Sequence, residues 1–226
     1  MNSLNKRLSA EKRFQAYGLF AVALSMFFVL ILMWKIFSTG SGAFVRTTIE
    51  ANVFFNPDFI QVNQNSLEKE LYRASYVALA DEVVRQNHPN LNEEQFIKVR
   101  EMYTRKFDYQ LRDYLLDNPD KIGQSIIMKI TASSDLDQIV KGNYPRDVPE
   151  AQRKINDYQL SVLDKLTSEG KVSSVFNFWF FTKGDSRDPE TAGIWGAVMG
   201  SLYALIICFS FAFPIGLLAS VYLEEF

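Results

Sequence analysis

Two long uncharged stretches, one near each end, constrain the fold more than anything else in this chain. Phe14 to Trp34 holds 21 residues without a charged side chain, and Thr191 to Leu223 holds 33. A helix rises about 1.5 Å per residue, so either run covers a hydrocarbon core of roughly 30 Å. The first is longer than the roughly 7–15 apolar residues of a secretory leader, so it reads as an anchor that stays on the protein. The second exceeds what one crossing needs, so its beginning, Thr191-Ala-Gly-Ile-Trp-Gly, is expected at the interface or against protein. Mean hydropathy over the whole chain is close to zero, because a charged middle offsets the two ends.

The flanks set the orientation. Lys6, Arg7, Lys12 and Arg13 precede the first run, while only Lys35 and Arg46 closely follow it. The positive-inside rule puts that end in the cytoplasm. The fold class is therefore a membrane α-helical protein, with two transmembrane helices flanking a mainly α (α+β) extracytoplasmic domain. The divisions are a cytoplasmic N-terminus at 1–13, a first transmembrane helix at 14–37, the extracytoplasmic domain at 38–190 and a second transmembrane helix at 191–226.

Within the domain, 19 Lys and Arg face 23 Asp and Glu, a balanced surface that gives no case for nucleic-acid binding. The single cysteine, Cys208, lies in the second apolar run, so the domain is held by an ordinary hydrophobic core. Thr47 to Phe55 predicts a strand. Asn65 with Glu68 predicts the capped start of a helix running to about Gln86, and Asn90 with Glu93 the start of a second, with Phe96, Val99, Tyr103, Phe107, Leu111 and Tyr114 as its buried stripe. Asn118-Pro119 ends it, and the two helices are expected to form an antiparallel hairpin. Ile122, Ile126, Ile127 and Ile130 suggest a short helix, and Ser134-Asp135 the start of another. Val148-Pro149-Glu150 opens a further helix with Ile155, Tyr158, Val162, Leu163 and Leu166 inward and Gly170 as its C-cap. Val172 to Thr182 is aromatic and β-branched, and its core, Phe176 to Thr182, is either a strand or an interfacial segment against the bilayer.

No catalytic constellation is present: no phosphate loop of Walker type, no HExxH and no Gly-x-Ser-x-Gly. Neighbouring acids at Asp81-Glu82, Glu93-Glu94 and Asp135/Asp137 read as solvated faces, and His88, between Asn87 and Pro89-Asn90, as a surface or turn residue. The expectation is a protein that is not an enzyme and carries no cofactor and no metal. In the second apolar run, Gly193, Gly196 and Gly200 place small residues for close helix contact, and Pro214 and Gly216 suit a helix packed among others.

Three stretches carry a family resemblance: Phe180-Phe-Thr182, Gly193-Ile-Trp-Gly-Ala-Val-Met-Gly-Ser-Leu-Tyr203, and Phe213-Pro-Ile-Gly-Leu-Leu-Ala-Ser-Val-Tyr-Leu-Glu-Glu-Phe226. Together they resemble the opening of the permease domain of the PstA family, one of the two membrane subunits of bacterial phosphate ABC importers. Pro214, Gly216, Ala219, Tyr222, Leu223 and Glu225 fit the family's cytoplasmic-end pattern, with Phe226 in place of its final tyrosine. Trp195 and Ser201 depart from the commonest form. The upstream part is similar to the long N-terminal extension of some Gram-negative members. The resemblance implies a multi-pass protein of the bacterial inner membrane. Its implied partners are a companion permease subunit, a cytoplasmic ATPase subunit and a periplasmic phosphate-binding protein. Gly193, Gly196, Gly200, Pro214, Gly216, Tyr222 and Glu225 would be structural residues of the permease motif. It also implies further spanning helices and an ATPase-docking loop beyond Phe226, so the chain reads as a truncated portion of such a subunit. A two-helix sensor or receptor, or a scaffold whose domain binds a partner, stays open as an alternative.

Overall fold

The computed structural model describes residues 2–60, 71 and 74–225, with side chains from residue 13 onward. The chain forms two compact units, Met1–Ala43 and Phe44–Phe226. Helix α1 (Asn2–Gly40) belongs to the first, and the 3-10 turn after it, Ser41–Phe44, ends on the first residue of the second. The apolar side chains of α1, Phe14 and Leu19 through Phe37, are exposed all along its length. A helix apolar on every side is suited to lipid rather than water, and α1 is long and apolar enough to cross a membrane.

The second unit is built on a three-stranded antiparallel sheet, in the order β2 (Ser125–Thr131), β1 (Val45–Phe54), β3 (Val172–Phe176). Register follows the side-chain alternation. Ile49, Ala51 and Val53 of β1 lie opposite Ile130, Met128 and Ile126 of β2, all on one face. Helices α2 (Tyr76–Asn87) and α4 (Phe107–Asp117) cover that face. They contribute Leu79, Ala80, Val83 and Val84 from α2, and Phe107, Leu111 and Leu115 from α4. Helix α3 (Glu93–Arg100) adds Phe96 and Val99, and α6 (Asp157–Ser168) packs on α3 and on β3 through Leu163 and Leu166. Phe55, fully buried, stacks on Tyr114 at 5.8 Å between ring centres. The expected strand is present, and the domain is mainly helical with this small sheet.

Several boundaries differ from the sequence expectation. The Asn65/Glu68 cap lies outside the described residues; Leu71, described within that stretch, is helical, and α2 runs from Tyr76 to Asn87 after Ser75, whose N–H donates to Phe59 O. The second cap is formed by Asn92 with Gln95, each side chain accepting from the other's backbone N–H, and not by Asn90 with Glu93. Asn90 sits at φ 68°, in the turn before the cap. The aromatic stripe is core as expected, but it spans two helices. Between α3 and α4 the chain leaves helical geometry so that Tyr103 can bridge to Ala132 and Thr104 can donate to Thr131 O. Ile126, Ile127 and Ile130 stand in β2 and not in a helix. The expected start at Ser134 is the first residue of α5 (Ser134–Val140). Val148-Pro149-Glu150 leads only to a 3-10 turn, and α6 starts after Asn156, capped reciprocally with Gln159. Gly170 takes φ 71° just past α6, where a side chain would be strained.

The unit ends in α7 (Phe178–Thr182) and the long helix α8 (Trp195–Glu225). No described residue of α8 is buried, and the helix is long and apolar enough to span a membrane. It runs unbroken through Pro214.

Candidate functional site

The chain comes into the second unit at Phe44 and approaches its long helix after β3, and the two places touch. Val45 pairs with Phe176 across the sheet, and Asn177 donates its N–H to Phe44 O at 2.8 Å. The start of β1 is fixed from the other side by Asp137 on α5. Its carboxylate accepts the Thr47 N–H at 2.8 Å and the Lys141 ammonium at 2.5 Å, while the same ammonium donates to Val45 O at 2.7 Å. Asp137 is buried, where the sequence suggested a solvated face. Its signal was the Lys four residues on, a helical ion-pair spacing.

From β3 the chain turns through α7, whose last turn closes with Lys183 N–H to Trp179 O. The following Lys183-Gly-Asp-Ser-Arg-Asp-Pro189 loop is strapped down by side chains. Lys106 donates to Ser186 Oγ at 2.7 Å, Ser186 Oγ lies 3.0 Å from Thr191 Oγ1, and the Thr104 hydroxyl donates to Glu190 at 2.7 Å. After a 3-10 turn at Pro189–Thr191 the backbone returns to α7 and the residues that follow it. Gly193 N–H donates to Gly184 O, Ile194 N–H to Phe180 O, and Trp195 N–H to Lys183 O, at 2.9, 2.8 and 3.2 Å. The result is a closed joint between the domain and α8.

This joint separates the three glycines that the sequence grouped together. Gly193 precedes α8, and a Cβ there would lie 2.2 Å from Lys183 O and 2.6 Å from Trp179 O. Only glycine lets the backbone come this close to those carbonyls. Gly196 and Gly200 are within α8, the first with a Cβ position 3.8 Å from Gly184 and the second with open space around it. Pro214, Gly216, Tyr222 and Glu225 all lie further along α8, exposed, and the fold does not gather them with the joint.

Around α7 lies an aromatic cluster. Phe44 stacks on Phe181 at 5.8 Å and meets Phe180 edge-on at 5.6 Å, and Phe176 stacks on Phe181 at 5.9 Å. The Arg46 guanidinium sits 3.7 Å over the Trp179 ring, a favourable cation–π placement. Half-buried, it is pushed below its usual proton affinity by desolvation. In the sequence Arg46 counts only as a charge flanking the first apolar run, because its partner is a ring on a distant segment.

Beside the strap is a cleft of about 670 Å³. Its cations Arg100, Arg105, Lys154 and Arg187 are matched by Glu101, Asp135, Asp188 and Glu190. With equal numbers of each sign it does not concentrate a simple anion. His88 ends α2 as its cap residue, as a turn residue should. It is half-buried, with Nε2 3.2 Å from the Tyr103 hydroxyl. Burial, with Lys165 and Lys171 nearby, lowers its proton affinity.

Comparison with curated proteins and with solved structures finds no match for the chain. A family model does match, over residues 1–150, from α1 through the domain to the turn that precedes α6. The chain belongs to that family, DUF3333, described as a domain of unknown function.

Proposed function

We propose that the chain is the leading portion of a PstA-type permease subunit, which contributes to phosphate translocation across the bacterial inner membrane. What carries the reading is the joint. Two of the three stretches that resemble the permease opening, Phe180-Phe-Thr182 and the beginning of Gly193–Tyr203, meet there and share the hydrogen bond from Ile194 N–H to Phe180 O. The glycine of the second piece is also the one that its surroundings require. Adjacent points of chain entry and departure, at Phe44 and Asn177, suit a domain inserted between two spanning helices on one side of a membrane. On this reading the N-terminus is cytoplasmic, the domain extracytoplasmic, and α8 the first helix to pack on a companion permease. The ATPase and the phosphate-binding protein complete the assembly.

The reading is tested in the native cells. Deleting the gene should abolish high-affinity uptake of radioactive phosphate, and the tagged protein should purify with a second permease and an ATPase. Unchanged uptake and an unrelated set of companions would sink it. The receptor or scaffold alternative draws on the charged cleft, which offers a surface for a partner bearing both signs. Companions that bind the domain without any effect on phosphate uptake would favour it. In a Cys208→Ser background, Gln124→Cys should react with an impermeant maleimide from outside, and Ser3→Cys only after permeabilisation. The reverse pattern would overturn the orientation.

A further inference from the structure

We infer that the aromatic surface around α7 seats the folded domain in the headgroup layer of the bilayer, beside the first turn of α8. The inference rests on the reading that α8 crosses a membrane. Phe44, Phe176, Phe178 and Phe181 are 37, 49, 68 and 40 % exposed, yet they are not scattered. Phe176 meets Phe178 at 4.8 Å and Phe181 at 5.9 Å, and Phe181 stacks on Phe44. A contiguous exposed aromatic patch marks a contact surface.

Continuity with α8 decides what that surface meets. Ile194 N–H to Phe180 O and Trp195 N–H to Lys183 O tie α7 alongside the beginning of the long apolar helix. When α8 enters a bilayer, α7 arrives at the depth of its first turn. That depth is the interface, where Trp and Phe are favoured and basic side chains reach outward to headgroups. The local composition fits: Trp195 is 53 % exposed on the first turn of α8, Lys183 is exposed at the end of α7, and Arg46 holds the Trp179 ring in place. A five-residue helix has little stability of its own, so the joint presents these rings to the lipid as a fixed surface. The domain is thereby docked on the membrane and does not swing from a flexible tether.

Tryptophan quenching by brominated lipids tests this with the full chain in lipid vesicles. The three native tryptophans are Trp34, Trp179 and Trp195. Trp34→Phe with Trp195→Phe leaves Trp179 as the sole reporter. A second reporter, Phe178→Trp with all three native tryptophans changed to Phe, guards against a misfolded first variant. The depth control is Phe209→Trp in the same tryptophan-free background. For a ring seated roughly 5–10 Å into the interface, bromines near the headgroup should quench Trp179 and Phe178→Trp about twofold more than bromines near the chain end. Phe209→Trp should show the opposite order. Quenching of Phe209→Trp without quenching at 178 or 179 overturns the seat and leaves the spanning helix standing. Preference for deep bromines at 178 and 179 also overturns it, because the segment would then lie in hydrocarbon. No quenching at any position removes the membrane crossing itself, and the inference with it.

Discussion

Replacing Gly193 by alanine opens the joint at the foot of α8, and the size of the effect follows from the geometry. The added Cβ would stand 2.2 Å from Lys183 O, 1.2 Å inside the 3.4 Å at which ordinary contact begins, and Trp179 O is also too close at 2.6 Å. Both obstacles are backbone atoms, so no side-chain rotation relieves them. The segment 193–195 must move away from α7, which lengthens the three hydrogen bonds donated by Gly193, Ile194 and Trp195. At roughly 0.5–1.5 kcal/mol for each net hydrogen bond, the closed joint loses about 3 kcal/mol, or roughly two orders of magnitude in its opening equilibrium. Amide hydrogen exchange of the full chain in nanodiscs reads this directly, since it reports local opening. Exchange at residues 193–195 should quicken about a hundredfold, while the amides of β1 and α4 keep their protection. Gly200→Ala is the control: nothing lies within 4 Å of its added Cβ, and alanine in a helix is favoured by roughly 0.5–1 kcal/mol over glycine. If Gly193→Ala and Gly200→Ala exchange alike at 193–195, the close approach is not what holds the joint, and the argument fails.

Three further outcomes are expected. Asp137→Ala removes the acceptor of the Thr47 N–H and a carboxylate 2.5 Å from the Lys141 ammonium in a largely buried place, so urea unfolding of the full chain in detergent, followed by near-ultraviolet circular dichroism, should show a loss of about 3 kcal/mol. Asp137→Asn, which keeps an acceptor for Thr47, should lose clearly less, and equal losses would assign the whole effect to the ion pair. Asn87 acts as a substitute strand for β1, accepting the Asn52 N–H at 2.8 Å and donating to Asn52 O at 2.7 Å. Asn87→Ala should therefore lower stability by about 1–2 kcal/mol and deprotect the Asn52 amide selectively. The folded protein protonates His88 at lower pH than the unfolded chain, whose imidazole titrates near 6.5. Stability from this residue is full above that pH and falls as pH drops below it, and His88→Gln should flatten that slope in thermal unfolding.

What the sequence could and could not reveal divides along the distance between interacting residues. The apolar runs, the β1 strand, the end of α4 at Asn118 and the glycine after α6 are local signals, and the structure carries all of them. The misreadings arise where one pattern serves two structures. Ile122, Ile126 and Ile130 are spaced by four, which repeats on a helix face and also on one face of a strand. Pairing of Ile130 with Ile49, far away in the chain, chooses the strand. Asn90-x-x-Glu93 and Asn92-x-x-Gln95 both spell a cap, and the left-handed backbone at Asn90 leaves only the second. The joint was the least legible part, because its decisive contacts are distant: Asp137 reaches Thr47 across 90 positions, and Thr104 reaches Glu190 across 86. Gly193, Gly196 and Gly200 look alike as small residues on one apolar run, and only the carbonyls of Trp179 and Lys183 make the first of them irreplaceable. Both distant contacts bind segments that adjoin a long apolar helix in sequence, the start of β1 after α1 and the strap before α8. These two side-chain contacts thus fix the places where the chain enters the domain and approaches α8, while others, such as Gln159 donating to Lys98 O and Gln110 accepting the Thr131 N–H, tie its helices and sheet together.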